Sequence, residues 1–389
     1  MAKPVFVKKV VGEVENPSGA GAMNTLIAVG DLNADGRPDI VISGRNGLMV
    51  WLENRGAGKP WLRHPIDEVS NQECGGCLWD LTGSGRLDLI NGSDYRSVDI
   101  SWWENPGKPG AHWSRRVIAN TGISQFHDTI IGDVTGDGAL SLVFTNQHGK
   151  NGTWVFRVPL PEDPRQSPWP GLEVVADGRT EANPGASGGR QPEEGLAIGD
   201  LDGDGANELV AGTHWYKYVR GKWEGHKFAS GYITTKIEVA DVNGDGRNEI
   251  LLAEGDPCVY GKTQGGRAGW FAPGEDITAM WSEHVLEEGL LDAHSLRVGD
   301  LCGNGRPDIL VGEVGLADPK TDRYVRRPPR MLVFENDGGG NFRRHLIDEG
   351  TGCHDAFLAD TRGGGVLDIV TKPLHGAEKW RIHVYERVS

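Results

Sequence analysis

The chain has 389 residues, more than a usual single domain holds, so length alone points to two or three domains or to one large closed β architecture. Its 40 basic and 55 acidic residues leave a net charge of −15, which disfavours nucleic acid as a partner and suits a protein that holds cations. No apolar run is long enough to span a bilayer, so no membrane insertion is expected, and 58 glycines with 13 tryptophans indicate a turn-rich all-β chain.

The opening stretch MAKPVFVKKVVGEVENPSG has no apolar leader core and no small-residue cleavage site. The expectation is an extracellular or periplasmic mature chain without its leader, with the cytoplasm as the alternative. Within it, residues 4–13 read as one isolated strand. Five cysteines are an odd number and few for the length, so no disulfide framework is expected. The lone C-x-x-C of Cys74 and Cys77 reads as tight-turn sequence rather than as a redox or zinc pair.

From residue 27 onward one unit repeats: an apolar strand, an acidic glycine loop and a second apolar strand. IAVGDLNADGRPDIVIS, CLWDLTGSGRLDLING, IIGDVTGDGALSLVFT, LAIGDLDGDGANELVAG, IEVADVNGDGRNEILLA, LRVGDLCGNGRPDILVG and AFLADTRGGGVLDIVTK are its seven copies. Their leading aspartates are Asp31, Asp80, Asp133, Asp200, Asp241, Asp300 and Asp360, and the spacings leave room for four short strands per copy. A third-strand pattern recurs as LMVWLEN, ISWWENPG and MLVFEND, and a fourth as WLRHPIDE, WSEHVLEE and FRRHLIDE. The fourth strand is found only six times, and VFVKKVVGE at the N-terminus supplies the seventh. The expected fold is therefore an all-β seven-bladed propeller of four-stranded antiparallel blades spanning residues 1–389, closed by the N-terminal strand completing the last blade, so that no sheet edge stays open.

The pattern D-x-[DN]-x-D-G-x-x-[DE] between two apolar strands resembles the FG-GAP/VCBS repeat of integrin-type propellers, and the resemblance covers all seven units. WWENPG, Trp102 to Gly107, followed by HWSRRVI, is similar to the propeller domain of aldos-2-ulose dehydratases and to propeller-type ulvan lyases. FG-GAP propellers also serve as lectins and adhesion modules.

Alternating side-chain oxygens, a glycine at the bend and a carboxylate at position nine can surround a hard cation. Three loops are complete: Asp31/Asn33/Asp35/Asp39, Asp200/Asp202/Asp204/Glu208 and Asp241/Asn243/Asp245/Glu249. The third, Asp133/Thr135/Asp137, ends in Ser141, so its ion would be held more weakly. The sixth offers Asp300, Asn304 and Asp308 as ligands but places the sulfur of Cys302 where oxygen is wanted. Loops two and seven are degenerate, with Arg362 in place of the cation. Such blade-by-blade decay suits independent structural calcium clips, three to five in number, rather than one shared ligand.

In the resembling folds the first strand of each blade lines a central channel, with the acidic loops on one face. The start of the first strand then lies on the opposite face. Six residues before each leading aspartate stand Thr25, Cys74, His127, Glu194, Thr235, His294 and His354, so three histidines share one register around the channel mouth. Asp128 and Lys236 follow two of these positions, and the second-strand ends add Tyr95, Arg96, His148, His214, Tyr216, Lys372 and His375.

Such a set suits β-elimination on a sugar, which needs a base, an acid for the leaving group and a cation to steady the enolate. The resemblance to sugar dehydratases and lyases implies that chemistry and a saccharide ligand. His127 or His148 is then the base and Tyr95 the proton donor, while His294, His354 and Glu194 hold the carbonyl oxygen or a metal, zinc or manganese. Arg96, Lys236 and Lys372 are placed to hold a carboxylate, with His214, Tyr216 and His375 beside the substrate. Trp102, Trp103 and Trp215 have flat faces that suit pyranose rings, but WLEN and WWEN recur as packing positions, and packing is the reading taken for them. The other readings are a calcium-stabilised lectin and a protein-binding propeller without catalysis. The uneven distribution of histidine around the mouth favours a single asymmetric site.

Overall fold

A computed structural model describes residues 4–16, 22–150, 152–182 and 190–388. Seven antiparallel sheets follow one another around an axis, and no α-helix occurs among the described residues. In blade one the strands run in chain order, Met23–Gly30, Asp39–Arg45, Met49–Glu53 and Leu62–Asp67. Blade seven pairs Asp355–Ala359, Asp368–Lys372 and Arg381–Arg387 with Phe6–Glu13 as its outermost strand. Blade three carries a fifth short strand, Arg190–Pro192, beyond the predicted four. Every innermost strand touches the innermost strands of both neighbours, the seventh against the first, which closes the ring.

The apolar runs follow from this stacking. Second strands such as Asp88–Ser93 and Glu249–Glu254 are buried along their whole length, because neighbouring blades cover both faces. The outermost Phe6–Glu13 is largely exposed and correspondingly rich in charge. Between blades the cores are aromatic: Trp102, Phe126, Phe144 and Phe156 pack between blades two and three. The fourth-strand histidines serve packing, with His64 stacked on Trp51, His226 on Trp215 and His284 on Trp270.

The acidic loops have a role in the fold that requires no ion. In all seven, the leading aspartate accepts the backbone N–H of the glycine five residues on, as in Asp31 with Gly36 at 2.8 Å and Asp360 with Gly365 at 2.6 Å. That glycine has a positive φ in every loop, a conformation that costs other residues steric strain. The aspartate and the glycine therefore persist even in the degenerate loops two and seven. At the loop end, Asp39 accepts Leu32 N–H and Asn54 N–H, one on each oxygen, so this carboxylate joins loop to third strand.

Asparagine then joins blade to blade. Asn54 Nδ2 donates to Thr361 C=O of blade seven, Asn105 Nδ2 to Leu32 C=O of blade one, and Asn336 Nδ2 to Val242 C=O of blade five. Asn207 and Asn248 make the corresponding bonds to Asp133 and Asp200 carbonyls. The Asn of WLEN, WWEN and VFEN is thus a latch between sheets that have no shared strand. Asn105→Ala strips the Nδ2 donor from two carbonyls, that of buried Leu32 and that of half-buried Leu87. Thermal or urea unfolding should show a loss of about 1–3 kcal/mol.

Candidate active site

On the face opposite the acidic loops, a basin of about 520 Å³ opens at the channel mouth. Six of the seven register positions, Thr25, Cys74, His127, Glu194, His294 and His354, line it. The seventh, Thr235, is buried and donates to the Glu194 carbonyl at 2.5 Å. Beneath the basin lies a channel cavity of about 450 Å³, and His127, His294 and Cys74 line both spaces, so they form the partition between them.

The partition is built around Glu194, only 2% exposed. Its Oε1 accepts Gln147 Nε2 at 2.7 Å. Its Oε2 faces His127 Nε2 at 3.4 Å, His294 Nε2 at 3.5 Å and Lys236 Nζ at 3.4 Å, yet makes no hydrogen bond among the described residues. The imidazole tautomers follow from the partners. Asp128 Oδ2 lies 2.9 Å from His127 Nδ1, and the backbone carbonyl of His354 lies 2.9 Å from His294 Nδ1, so both Nδ1 atoms donate. His354 stacks on His294 at 4.4 Å, and its Nδ1 accepts Lys372 Nζ at 2.9 Å.

Burial opposes charge throughout this cluster, and neighbouring charges decide the outcome. For His127 the Glu194 and Asp128 carboxylates outweigh burial and hold the imidazole well above its usual pKa. Burial would raise Glu194, but His127 and Lys236 bring it down to about 2. Burial, with the Lys372 ammonium beside it, pushes His354 well below 6.5 and keeps it neutral. Burial likewise lowers Lys372 to about 8. His148, exposed at the rim with Ser124 Oγ at 3.1 Å from Nδ1, is lowered by partial desolvation and by the Arg45 guanidinium. It is therefore a neutral imidazole at pH 7.

Other residues chosen from the sequence stand outside the basin or at its edge. Tyr216 is 1% exposed inside the blade core, and Trp102, Trp103 and Trp215 are likewise buried, so none presents a face to a sugar. Their strand pattern recurs because blades stack on it. Lys372 is fully buried beneath His354 and reaches the basin only through that ring. His214 sits beside Thr213 and Glu193, outside the basin lining. Arg96 grips Asp94, and His375 at the basin edge is held by Asp322 at 2.9 Å. Tyr95 is 55% exposed, with the Arg45 and Arg96 guanidiniums 6.0 and 5.7 Å from its ring.

Several basin residues were missed: Arg45, Glu73, Gln125, Gln147, Asp256 and Tyr260. Asp256 and Tyr260 ride on the long connection between Glu249–Glu254 and Gly266–Ala272. Blade six has a longer one, carrying Tyr324, whose hydroxyl donates to the His375 and Thr351 carbonyls. The unusual lengths of these two connections were the available signal. Burial, together with Glu194 and Asp256, raises the Tyr260 phenol, keeping it protonated.

The acidic loops differ in what their side chains are free to do. In loop four the Lys217 ammonium ion-pairs with Asp202, with Asp204 at 2.6 Å and with Glu208 at 3.3 Å, in the place the sequence assigns to calcium. In loop seven Arg362 pairs with Asp368 at 2.7 Å, as its position suggested.

In loop six Asn304, expected as a cation ligand, also serves the fold. Its Oδ1 accepts Arg306 N–H at 2.9 Å, as Asn33 and Asn243 accept N–H groups in loops one and five, while Nδ2 donates to the Asn336 carbonyl at 3.1 Å. Asn304 therefore ties its loop to the third strand of blade six. Asp308 is committed in the same way, with one oxygen accepting Cys302 N–H and the other Asn336 N–H, both at 2.8 Å. In loop three Asp137 accepts Thr135 Oγ1–H and Ala139 N–H on one oxygen, and Ser141 Oγ accepts Arg157 Nε–H at 2.8 Å.

Loops one and five have no lysine among their carboxylates, although Arg37 pairs with Asp35 at the rim of loop one. They offer Asp31, Asn33, Asp35 and Asp241, Asn243, Asp245 as an oxygen set suited to a hard cation.

No protein-family model matches the chain, and no curated protein matches it. Among solved structures it is similar to rhamnogalacturonan lyase YesW, at 15% identity and a TM-score of 0.52, over 98% of this chain and 76% of that one. It is similar to BBS1N in complex with ARL6DN, at 10% identity and a TM-score of 0.55, over 100% and 99% of the chains. The V. cholerae biofilm matrix protein Bap1 aligns at 11% identity with a TM-score of 0.51, over 99% and 91%. These likenesses are of fold, and with the sheet order they define the molecule as a seven-bladed β-propeller.

Calorimetric calcium titration of chelator-treated protein should detect loops one and five, and Asp241→Ala should remove one ion. Lys217→Met should add one, because it frees the loop-four carboxylates.

Proposed function

We propose that this propeller is a carbohydrate-active carbon–oxygen lyase or dehydratase that works by β-elimination next to a carbonyl or carboxylate. The observation that carries this reading is the asymmetry of the mouth. A neutral imidazole, a protonated tyrosine and a buried ion-paired cluster of histidine, lysine and carboxylate converge on a single basin, and no other blade junction among the described residues repeats the set. That propellers of similar fold include a rhamnogalacturonan lyase supports it.

His148 is the base. With its Nδ1–H given to Ser124 Oγ, Nε2 takes the proton α to the carbonyl, and the electron pair delocalises onto the carbonyl oxygen. The positive charge of His127 and Lys236 at the basin floor steadies that enolate. As the Cα=Cβ bond forms, the Cβ–O bond breaks and a tyrosine hydroxyl gives its proton to the leaving oxygen. Tyr260, packed near Glu194 and Asp256, joins Tyr95 as candidate donor. Calcium in loops one and five would hold loops and take no part in the chemistry.

Incubation with uronate-containing polysaccharides and with keto-sugars should produce near-ultraviolet absorbance from an unsaturated product. His148→Ala should cut kcat by about 10²–10⁴-fold with thermal stability near wild type. Because a base must be unprotonated and the His148 pKa is lowered, the acid limb of kcat/KM should fall below pH 6.5. Flat absorbance with every substrate, together with saturable glycan binding, would replace the lyase reading with a lectin.

A further inference from the structure

We propose that His127 Nε2, His294 Nε2 and Glu194 Oε2 form a binding site for one divalent first-row transition metal, separate in kind from the acidic loops. These three atoms lie within 4.8 Å of one another on buried side chains. The two nitrogens stand 3.4 and 3.5 Å from the carboxylate oxygen. Ligands on a tetrahedral zinc with bonds of about 2.0–2.1 Å are about 3.3 Å apart. The spacing is too long for good hydrogen bonds and right for a shared ion.

The surroundings make the same case independently. A metal-ligating histidine is usually oriented by giving its other N–H to a carboxylate or backbone carbonyl. His127 gives Nδ1–H to Asp128, and His294 gives Nδ1–H to the His354 carbonyl. Asp128 is fixed in turn by Gly195 N–H at 2.9 Å. The third ligand is oriented as well, since Gln147 occupies Glu194 Oε1 and leaves Oε2 as a buried acceptor with no hydrogen bond among the described residues. Every candidate ligand thus has its other polar atom held, and the three remaining atoms converge. Two imidazoles and one carboxylate suit zinc, manganese or ferrous iron, whereas calcium prefers oxygen alone.

The set also departs from the sequence expectation, which paired His294 with His354. The Nδ1 of His354 is taken by Lys372, and His127 fills the place instead. Asp256 Oδ2, 4.0 Å from His294 Nε2 on the basin side, is next in line as a fourth ligand. Lys236 Nζ, 3.4 Å from Glu194 Oε2, competes with the ion for the same oxygen. The ion would take over the charge-stabilising role given above to the floor of the basin; that role rests on the lyase reading, while the binding site does not.

The test is binding without substrate. Chelator-treated protein, with calcium in excess to fill the loops, is titrated with Zn(II) and Mn(II) by calorimetry and with Co(II) by visible absorption. One equivalent per chain is expected. His127→Ala and His294→Ala should each weaken it more than about 100-fold, and Asp128→Asn should weaken it about 10–100-fold as an orienting residue. Lys236→Met should tighten it, and Asp202→Ala should leave it unchanged. Circular dichroism and thermal unfolding confirm that each variant is folded. Absence of binding in both the wild type and Lys236→Met, or binding indifferent to His127→Ala and His294→Ala, overturns the site. Turnover by metal-free protein that takes up no metal overturns it and leaves the lyase standing; stoichiometric metal with no turnover does the reverse.

Discussion

The fold depends on one buried polar junction, repeated in four of the seven blades: the carboxylate at the end of the acidic loop and the residue it positions. Stacked blades share no strand, so their hydrogen-bond ladders end at every junction, and apolar contact alone does not set the rotation of one sheet against the next. Asp39, Asp88 and Asp308 hold the N–H groups of Asn54, Asn105 and Asn336, and those asparagines reach carbonyls in the preceding blade. Arg387 plays the part in blade seven, directing Nη1 at the Asp300 carbonyl while its own N–H is held by Asp368. Burial without water makes each bond costly to leave unmade, which turns a weak individual interaction into a geometric constraint.

Division of labour between the two faces follows from that constraint. The loop face is occupied with turns and latches, and its acidic residues are bound up with backbone N–H groups, lysine and arginine. The opposite face is free of this duty. There the starts of the inner strands need only hold the channel mouth open, so they can carry His127, Glu194 and His294 at the price of burying charge. The cluster tolerates burial because its charges are paired: Lys236 with Glu194 and Asp128, and Arg297 with Asp355 at 3.0 Å lower in the channel.

Much of the site was legible from counting. Strand periodicity is rigid, so six residues back from a loop aspartate lands on the same height of the ring in every blade, and that rule found His127, Glu194, His294 and His354 together. It failed where the chain leaves the strand. Asp256 and Tyr260 lie on an irregular connection whose path no periodicity specifies, and Arg45 and Glu73 enter the basin through an ion pair between neighbouring blades. Tyr216, placed beside the substrate, misled for the opposite reason. An aromatic residue recurring in each repeat looks like a row of platforms, but recurrence is also what blade stacking demands, and burial shows stacking to be the cause.

The amino-acid sequence by itself determined the number of blades, the closing role of the N-terminal strand and the face on which functional groups gather, because each is a matter of period and count. Only the tertiary structure decided which side chains face each other across the channel. His127 and His294 come from blades three and six, and the distances from each to Glu194 depend on the tilt of three separate sheets. Their basic nitrogens are selected by Asp128, the next residue in the chain, and by a backbone carbonyl of blade seven, a contact that no local pattern encodes. The same holds for Lys217, which stands 13 residues after Asp204 in the chain yet places its ammonium among the loop-four carboxylates.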